Sequence, residues 1–130
     1  MAGAKILVVD DDRESRDLLS EFLGSNGYEV EAVGDGVAAW EALTGQEEGY
    51  GVIIADVRMP GRSGWELLRK VRQHNAKQRV ILMSSFISGA DKKLAEDLGA
   101  QGVLEKPFQL SELLRVVGEL TSKSAMGIPS

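Results

Sequence analysis

Five short apolar runs, each followed by a stretch with helical spacing, constrain this chain more than any other feature. The runs are Ile6-Leu7-Val8-Val9, Val30 to Val33, Val52-Ile53-Ile54-Ala55, Val80-Ile81-Leu82-Met83 and Val103-Leu104. Four of them are nearly continuously apolar, which suits strands covered on both faces. Glu29-Val30-Glu31-Ala32-Val33 alternates instead, which suits an edge strand. The intervening stretches carry stripes at helical spacing: Leu18, Leu19, Phe22 and Leu23; Ala39, Trp40 and Leu43; Leu67, Leu68 and Val71; Leu94, Ala95 and Leu98; Leu110, Leu113, Leu114 and Val117. Gly24 and Asn26-Gly27, then Gly45 and Gly99, mark helix ends. Strand and helix in strict alternation predict a parallel sheet with right-handed crossovers. Thr121 to Ser130 has no stripe and is expected to fray, so the folded domain is drawn at residues 1–120 with a disordered tail at 121–130.

At 130 residues the chain has the length of one domain, with enough buried surface for a core. It has no cysteine, which excludes disulfides and thiolate metal sites. One histidine, His74, reads as a surface residue and cannot alone make a zinc site. No apolar run approaches the ~18 residues of a membrane span, and Met1-Ala2-Gly3-Ala4-Lys5 reads as carrying no cleavable leader. The net charge of -5 argues against direct nucleic-acid binding and suits cations or basic partners. A cytoplasmic location and no membrane association are the expectations.

In a parallel α/β sheet, function gathers at the carboxyl ends of the strands. The first run ends in Asp10-Asp11-Asp12, the third in Asp56, the fourth in Ser84-Ser85 and the fifth in Glu105-Lys106-Pro107. One rim thus collects carboxylates, a hydroxyl and a lysine. Clustered carboxylates repel one another; a hard divalent cation relieves this, and Mg2+ typically takes one or two carboxylates and keeps positions open for phosphoryl oxygens.

The set Val9-Asp10-Asp11, Asp56-Val57-Arg58-Met59-Pro60-Gly61-Arg62-Ser63-Gly64, Met83-Ser84-Ser85 and Lys106-Pro107-Phe108 resembles the response regulator receiver family of two-component phosphorelays. The likeness runs from about Lys5 to Leu120. It implies the flavodoxin-like, CheY-like (βα)5 sandwich, with a five-stranded parallel sheet in the order 2-1-3-4-5. It further implies that Asp56 is the phosphoacceptor. Asp11, Asp56 and the backbone carbonyl of Arg58 would bind Mg2+ (or Mn2+), with Asp10 acting through water. Ser84 would be the switch hydroxyl, Lys106 would bind the phosphoryl oxygens, and the Lys106-Pro107 bond would be cis. Arg58 and Phe86 occupy the positions that tune hydrolysis. The implied partners are a sensor histidine kinase or phosphotransfer protein and a downstream effector domain or protein. The chain would be a signalling domain that catalyses only its own phosphotransfer and slow autodephosphorylation. The Asp56-to-Gly61 wording resembles receivers of transcriptional regulators, including the NtrC type. One position departs from the family: Val103 stands where many receivers carry a switch aromatic.

Other residues have plainer readings. Asp12 reads as the cap of the first helix, and Ser111 or the residues just before it as the cap of the fifth. Trp40 and Trp65 read as helix-packing residues, Phe108 as core or a partner-facing anchor, and Arg69, Lys70 and Arg72 as a solvated face. Val8-Val9-Asp10-Asp11-Asp12 also fits the Asp-x-Asp start of haloacid dehalogenase-type phosphatases. That reading leaves Asp56 without a role and needs a late acidic pair that the sequence lacks. Mixed charges at Asp91, Lys92, Lys93, Glu96 and Asp97, and at Glu112, Arg115 and Glu119, predict a monomer that forms at most a weak dimer when phosphorylated.

Overall fold

The structure, a computed structural model, describes residues 4–45, 49–57 and 64–126, the last five by backbone alone. Strands and helices alternate as β1 (Lys5–Val9), α1 (Arg13–Ser25), β2 (Glu29–Val33), α2 (Gly36–Thr44), β3 (Val52–Asp56), α3 (Gly64–His74), β4 (Val80–Ser84), α4 (Gly89–Asp97), β5 (Gly102–Glu105) and α5 (Leu110–Met126). The sheet is parallel throughout, in the order β2-β1-β3-β4-β5, so the flavodoxin-like topology holds. The alternating strand, β2, lies at an edge, and its residues are only partly covered. Every residue of the central strands β3 and β4 is buried.

Period-two alternation within these runs makes two cores from one sheet. Leu7, Val9, Ile53, Ala55 and Leu82 face Ala39, Leu43, Leu67, Leu68, Val71 and Ala95 of α2, α3 and α4. Ile6, Val8, Ile54, Ile81, Met83 and Leu104 face Leu19 and Leu23 of α1 and Leu113 and Val117 of α5. Phe108 packs against the second cluster, and Trp40, Trp65 and Val103 pack against the first. Among the described residues, no helix is long and apolar enough to cross a membrane.

Local chemistry sets the helix ends. The Asp12 carboxylate accepts from the Glu14 amide and caps α1. Asp35 caps α2, and Ser88 with Asp91 forms a reciprocal capping box on α4. At α5 the main-chain carbonyl of Gln109 accepts from the Glu112 and Leu113 amides, so the helix is entered just before Ser111. Gly27 ends the α1 turn at φ 96°, where a side chain would be strained. Helix α5 continues to Met126, six residues beyond the boundary drawn from the lost apolar stripe. No glycine or proline interrupts the chain between Gly118 and Gly127, so nothing stops the helix there.

The basic run on α3 is not one solvated face. Arg69 is exposed, Lys70 lies 4.9 Å over the Trp40 ring, and His74 meets the same ring edge-on. Arg72 turns inward. Its guanidinium donates to the carbonyls of Ala76 and Gln78 after α3 and of Gly99 after α4, each at 2.8 Å. Burial lowers its pKa from the usual arginine value, although an arginine remains charged at any ordinary pH. Gln78, buried between α3 and β4, accepts from the Tyr50 amide at 3.0 Å and donates to the Tyr50 carbonyl at 2.8 Å. It thereby supplies a main-chain-like bridge just before β3. Gln78→Ala removes both bonds and is expected to lower stability by about 1–3 kcal/mol, read as a lower urea midpoint with an unchanged slope.

Candidate functional site

The sheet order brings the ends of β1 and β3 side by side, with Val9 opposite Ala55. Asp10 follows β1 directly and Asp56 is the last residue of β3. Asp10, Asp11 and Asp56 each offer a carboxylate oxygen, and these oxygens all lie within 4.8 Å of one another. Asp10 is fully buried, Asp56 is 8% exposed, and Asp11 faces solvent. The three acids predicted to share a rim therefore converge with a graded exposure. An all-carboxylate oxygen set of this kind fits a hard cation such as Mg2+. Arg58, whose carbonyl was expected among the ligands, lies outside the described residues, as do Met59 to Ser63.

Lys106 reaches into this cluster from the end of β5. Its ammonium donates to Asp56 Oδ2 at 2.7 Å and to Asp10 Oδ2 at 3.4 Å. Burial alone would lower the lysine pKa. The hydrogen bond and charge of Asp56, followed by those of Asp10, outweigh it and hold the pKa above the usual lysine value. The Lys106–Pro107 peptide bond is cis, and the Lys106 amide donates to the Ser84 carbonyl at 2.7 Å.

Ser84 ends β4 beside this group and is 3% exposed. Its hydroxyl is engaged within its own loop: it donates to the Phe86 carbonyl at 2.9 Å and accepts from the Phe86 amide at 3.3 Å. Ser85 is exposed, and so is Phe86, at 63%. Val103 is half-buried on β5 opposite Leu82.

Two further residues hold the site without having been predicted. Arg16 on α1 donates to the Asp10 carbonyl at 3.0 Å and packs so close to Gly34 that a Cβ there would lie 3.0 Å from its Nη1. Gly64, the first residue of α3, donates its amide to the Val57 carbonyl at 2.9 Å, and a Cβ on it would fall 2.6 Å from the Asp56 carbonyl oxygen. Only glycine lets α3 start this close to the end of β3. The Asp10 carboxylate also accepts from the Asp12 amide at 3.0 Å, which fixes the turn that presents Asp11 outward.

A profile of the response regulator receiver domain matches residues 6–118, and the chain belongs to that family, the receiver domains of two-component response regulators. The transcriptional regulatory protein GltR of Pseudomonas aeruginosa is 36% identical over 124 residues, covering 94% of this chain and 50% of GltR. The chain spans about half the length of the curated relatives it matches most strongly. Among solved structures, the receiver domain of the Francisella response regulator 1452 is similar with a TM-score of 0.88 at 30% identity, covering 94% of this chain and 99% of that one. The receiver domain of the sensor histidine kinase PA1611 from Pseudomonas aeruginosa, solved with a magnesium ion coordinated in its active site cleft, gives a TM-score of 0.83 at 28% identity, covering 93% and 99%.

Removing the Lys106 ammonium from among these acids should expose their repulsion. Lys106→Met is expected to destabilise the metal-free domain by about 3 kcal/mol, the lower end for breaking a buried pair, because the lysine is partly exposed. Mg2+ should recover more stability in this variant than it adds to the parent chain. Urea unfolding with EDTA and with excess Mg2+ measures both effects.

Proposed function

We propose that this domain accepts a phosphoryl group on Asp56 from a phosphohistidine of a sensor histidine kinase or phosphotransfer protein, and that the modified domain signals to a downstream domain or protein. The observation that carries the reading is the 2.7 Å bond from Lys106 to Asp56 within a cluster of three carboxylates. A carboxylate that attacks phosphorus needs positive charge beside it, and the Lys106 ammonium, its pKa held above the usual lysine value, lies 2.7 Å from Asp56.

An Asp56 carboxylate oxygen forms the new bond to phosphorus while the phosphorus–nitrogen bond breaks, and the electron pair leaves on the donor imidazole. Lys106, already directed at Asp56, follows the charge as it spreads onto the phosphoryl oxygens. The Asp11 and Asp56 carboxylates, with Asp10 in support, would hold a divalent cation, Mg2+ or Mn2+, which would supply further neutralisation of those oxygens. Ser84 is the hydroxyl best located to report the product, since it ends the strand next to β3. Phosphorylation adds about -1.5 to -2 charges and strong acceptor oxygens, a gain the Ser84 hydroxyl can sense by hydrogen bonding.

The phosphatase reading fares worse on the same geometry. It requires Asp10 to attack, yet Asp10 is fully buried and its two carboxylate oxygens are engaged by the Asp12 amide and by Lys106. An output through self-association is weak on this surface. Lys93 pairs with Asp97 and Arg115 with Glu119 within their own helices, which leaves less charge for reciprocal pairs across a two-fold axis.

Incubation with acetyl phosphate or a phosphorylated histidine kinase and Mg2+ should add one hydroxylamine-labile phosphate per chain. Asp56→Asn should abolish it and EDTA should stop it; labelling that survives either change, or multiple turnover of a phosphoester, removes the assignment. Phe86 and Arg58 are read as shielding the acyl phosphate from water, with the arginine bonding its oxygens. Self-dephosphorylation is therefore expected to be slow, and faster in a Phe86→Glu, Arg58→Asn double variant. Loss of label followed over time in the purified protein measures it, and an equal or slower rate in the variant argues against shielding.

A further inference from the structure

We propose that Phe86 is the aromatic element of the switch in this chain, replacing a ring at position 103: when Ser84 turns to a phosphorylated Asp56, Phe86 is released and folds inward beside Trp65, drawing the start of α4 with it. The proposal rests on the reading of Asp56 as acceptor and deepens it. Three observations carry it.

The first is the stoichiometry of one hydroxyl. Ser84 has a single O–H, and it is spent on the Phe86 carbonyl, while its oxygen accepts the Phe86 amide. The side chain cannot donate to a phosphoryl oxygen and keep this clasp. Turning toward Asp56 therefore frees both main-chain groups of Phe86 at once, so residue 86 is the first part of the loop to feel the change.

The second is where the aromatic surface lies. Val103 is a small side chain already packed against the core cluster, with no ring to swing. Phe86 is 63% exposed, an unfavourable place for a ring. It helps line a cavity of about 130 Å3 together with Val57, Trp65, Ser84, Ile87 and Asp91. That volume is close to the ~150 Å3 apolar cavity that takes a benzene ring elsewhere. Inward rotation would bury the ring against the Trp65 indole, where aromatic pairs are favourable.

The third is the mechanical link. Only Ser85 to Ser88 separate Ser84 from α4, and Ser88 is the helix cap. Helix α4 contributes one fully buried residue, Ala95, so its packing resists movement weakly. Its far end is held by the bonds from Arg72 to the carbonyls of Leu98 and Gly99. A pull at residue 86 therefore tilts α4 about a pinned carboxyl end.

The test uses the 130-residue chain, Mg2+ and beryllofluoride as the phosphoryl mimic, read by NMR. Addition should produce a cross-peak between the Phe86 ring and the Trp65 indole and should shift the α4 amides. Phe86→Ala should at least halve the α4 shifts while the Asp11 amide still shifts on addition, which shows that the mimic is bound. Phe86→Tyr, which keeps the ring, should retain the full response. Full α4 shifts in Phe86→Ala, or a site response in the parent chain without the Phe86–Trp65 cross-peak, overturns the switch and leaves Asp56 as acceptor. Silence of Asp11, Val57 and α4 alike in the parent chain overturns the acceptor reading and the switch with it.

Discussion

The bond between Lys106 and the carboxylates of Asp56 and Asp10 is the interaction on which the rest of this molecule depends. Two of the three clustered acids are almost withdrawn from water, and buried charge of one sign is tolerable only with a partner. The lysine supplies that partner from the opposite end of the strand order, tying β5 to β3 and β1 in one ion pair. Its own amide is bonded to the Ser84 carbonyl, which brings β4 into the same arrangement. Four strand ends therefore share one electrostatic balance. Lys106 thus touches Asp56 with its side chain and the strand end that carries Ser84 with its amide.

Most of this was legible in the sequence because it obeys period and position. Continuous apolar runs marked the buried strands β1, β3 and β4, and the one alternating run marked the edge at β2. The short run at Val103-Leu104 read the same way as the buried ones, yet β5 is the other edge and only Leu104 on it is buried. The polar residue closing each run identified the rim, since a parallel sheet sends all its carboxyl ends to one side. What escaped was chemistry with no period. Arg72 read as part of a solvated basic run because charge alone does not reveal that a guanidinium will find carbonyls after α3 and α4. Gln78 gave no signal because a single amide between a helix and a strand looks like a turn residue, although it is buried and bonded to Tyr50. Arg16 lies six residues after Asp10, a spacing that brings the first turns of a helix back toward the loop before it, and that was the only available cue. Helix α5 runs on to Met126, past Leu120 where its apolar stripe ends, because a helix once started needs no stripe to continue.

Val103 shows how far a motif can carry an argument and where physics must take over. The family resemblance locates a position for a moving ring, and this chain has a valine there, half-buried against the same core as Leu82. A well-packed β-branched side chain has few rotamers to exchange. Under the proposed function, a signal from the site has to leave it by some other compliant element.

Compliance in a folded domain is found where few apolar groups are buried and hydrogen bonds are few and local. The strands fail that criterion, because β3 and β4 are buried throughout and paired on both sides. Helix α3 fails it as well, with Gly64 pressed against the end of β3 and Leu67, Leu68 and Val71 in the core. The loop from Ser85 to Ser88 meets it: Ser85 and Phe86 are exposed, and the clasp between Ser84 and Phe86 consists of two hydrogen bonds to a single hydroxyl. A phosphoryl oxygen is a charged acceptor, and hydrogen bonds to charged groups are roughly twice as strong as neutral ones. The Ser84 proton is engaged by Phe86 here, and under the proposed acceptor role of Asp56 a phosphoryl oxygen would compete for it on favourable terms. On the proposed reading, that difference, set beside a helix held at its carboxyl end by Arg72, is what would carry one covalent event on Asp56 to the surface of α4.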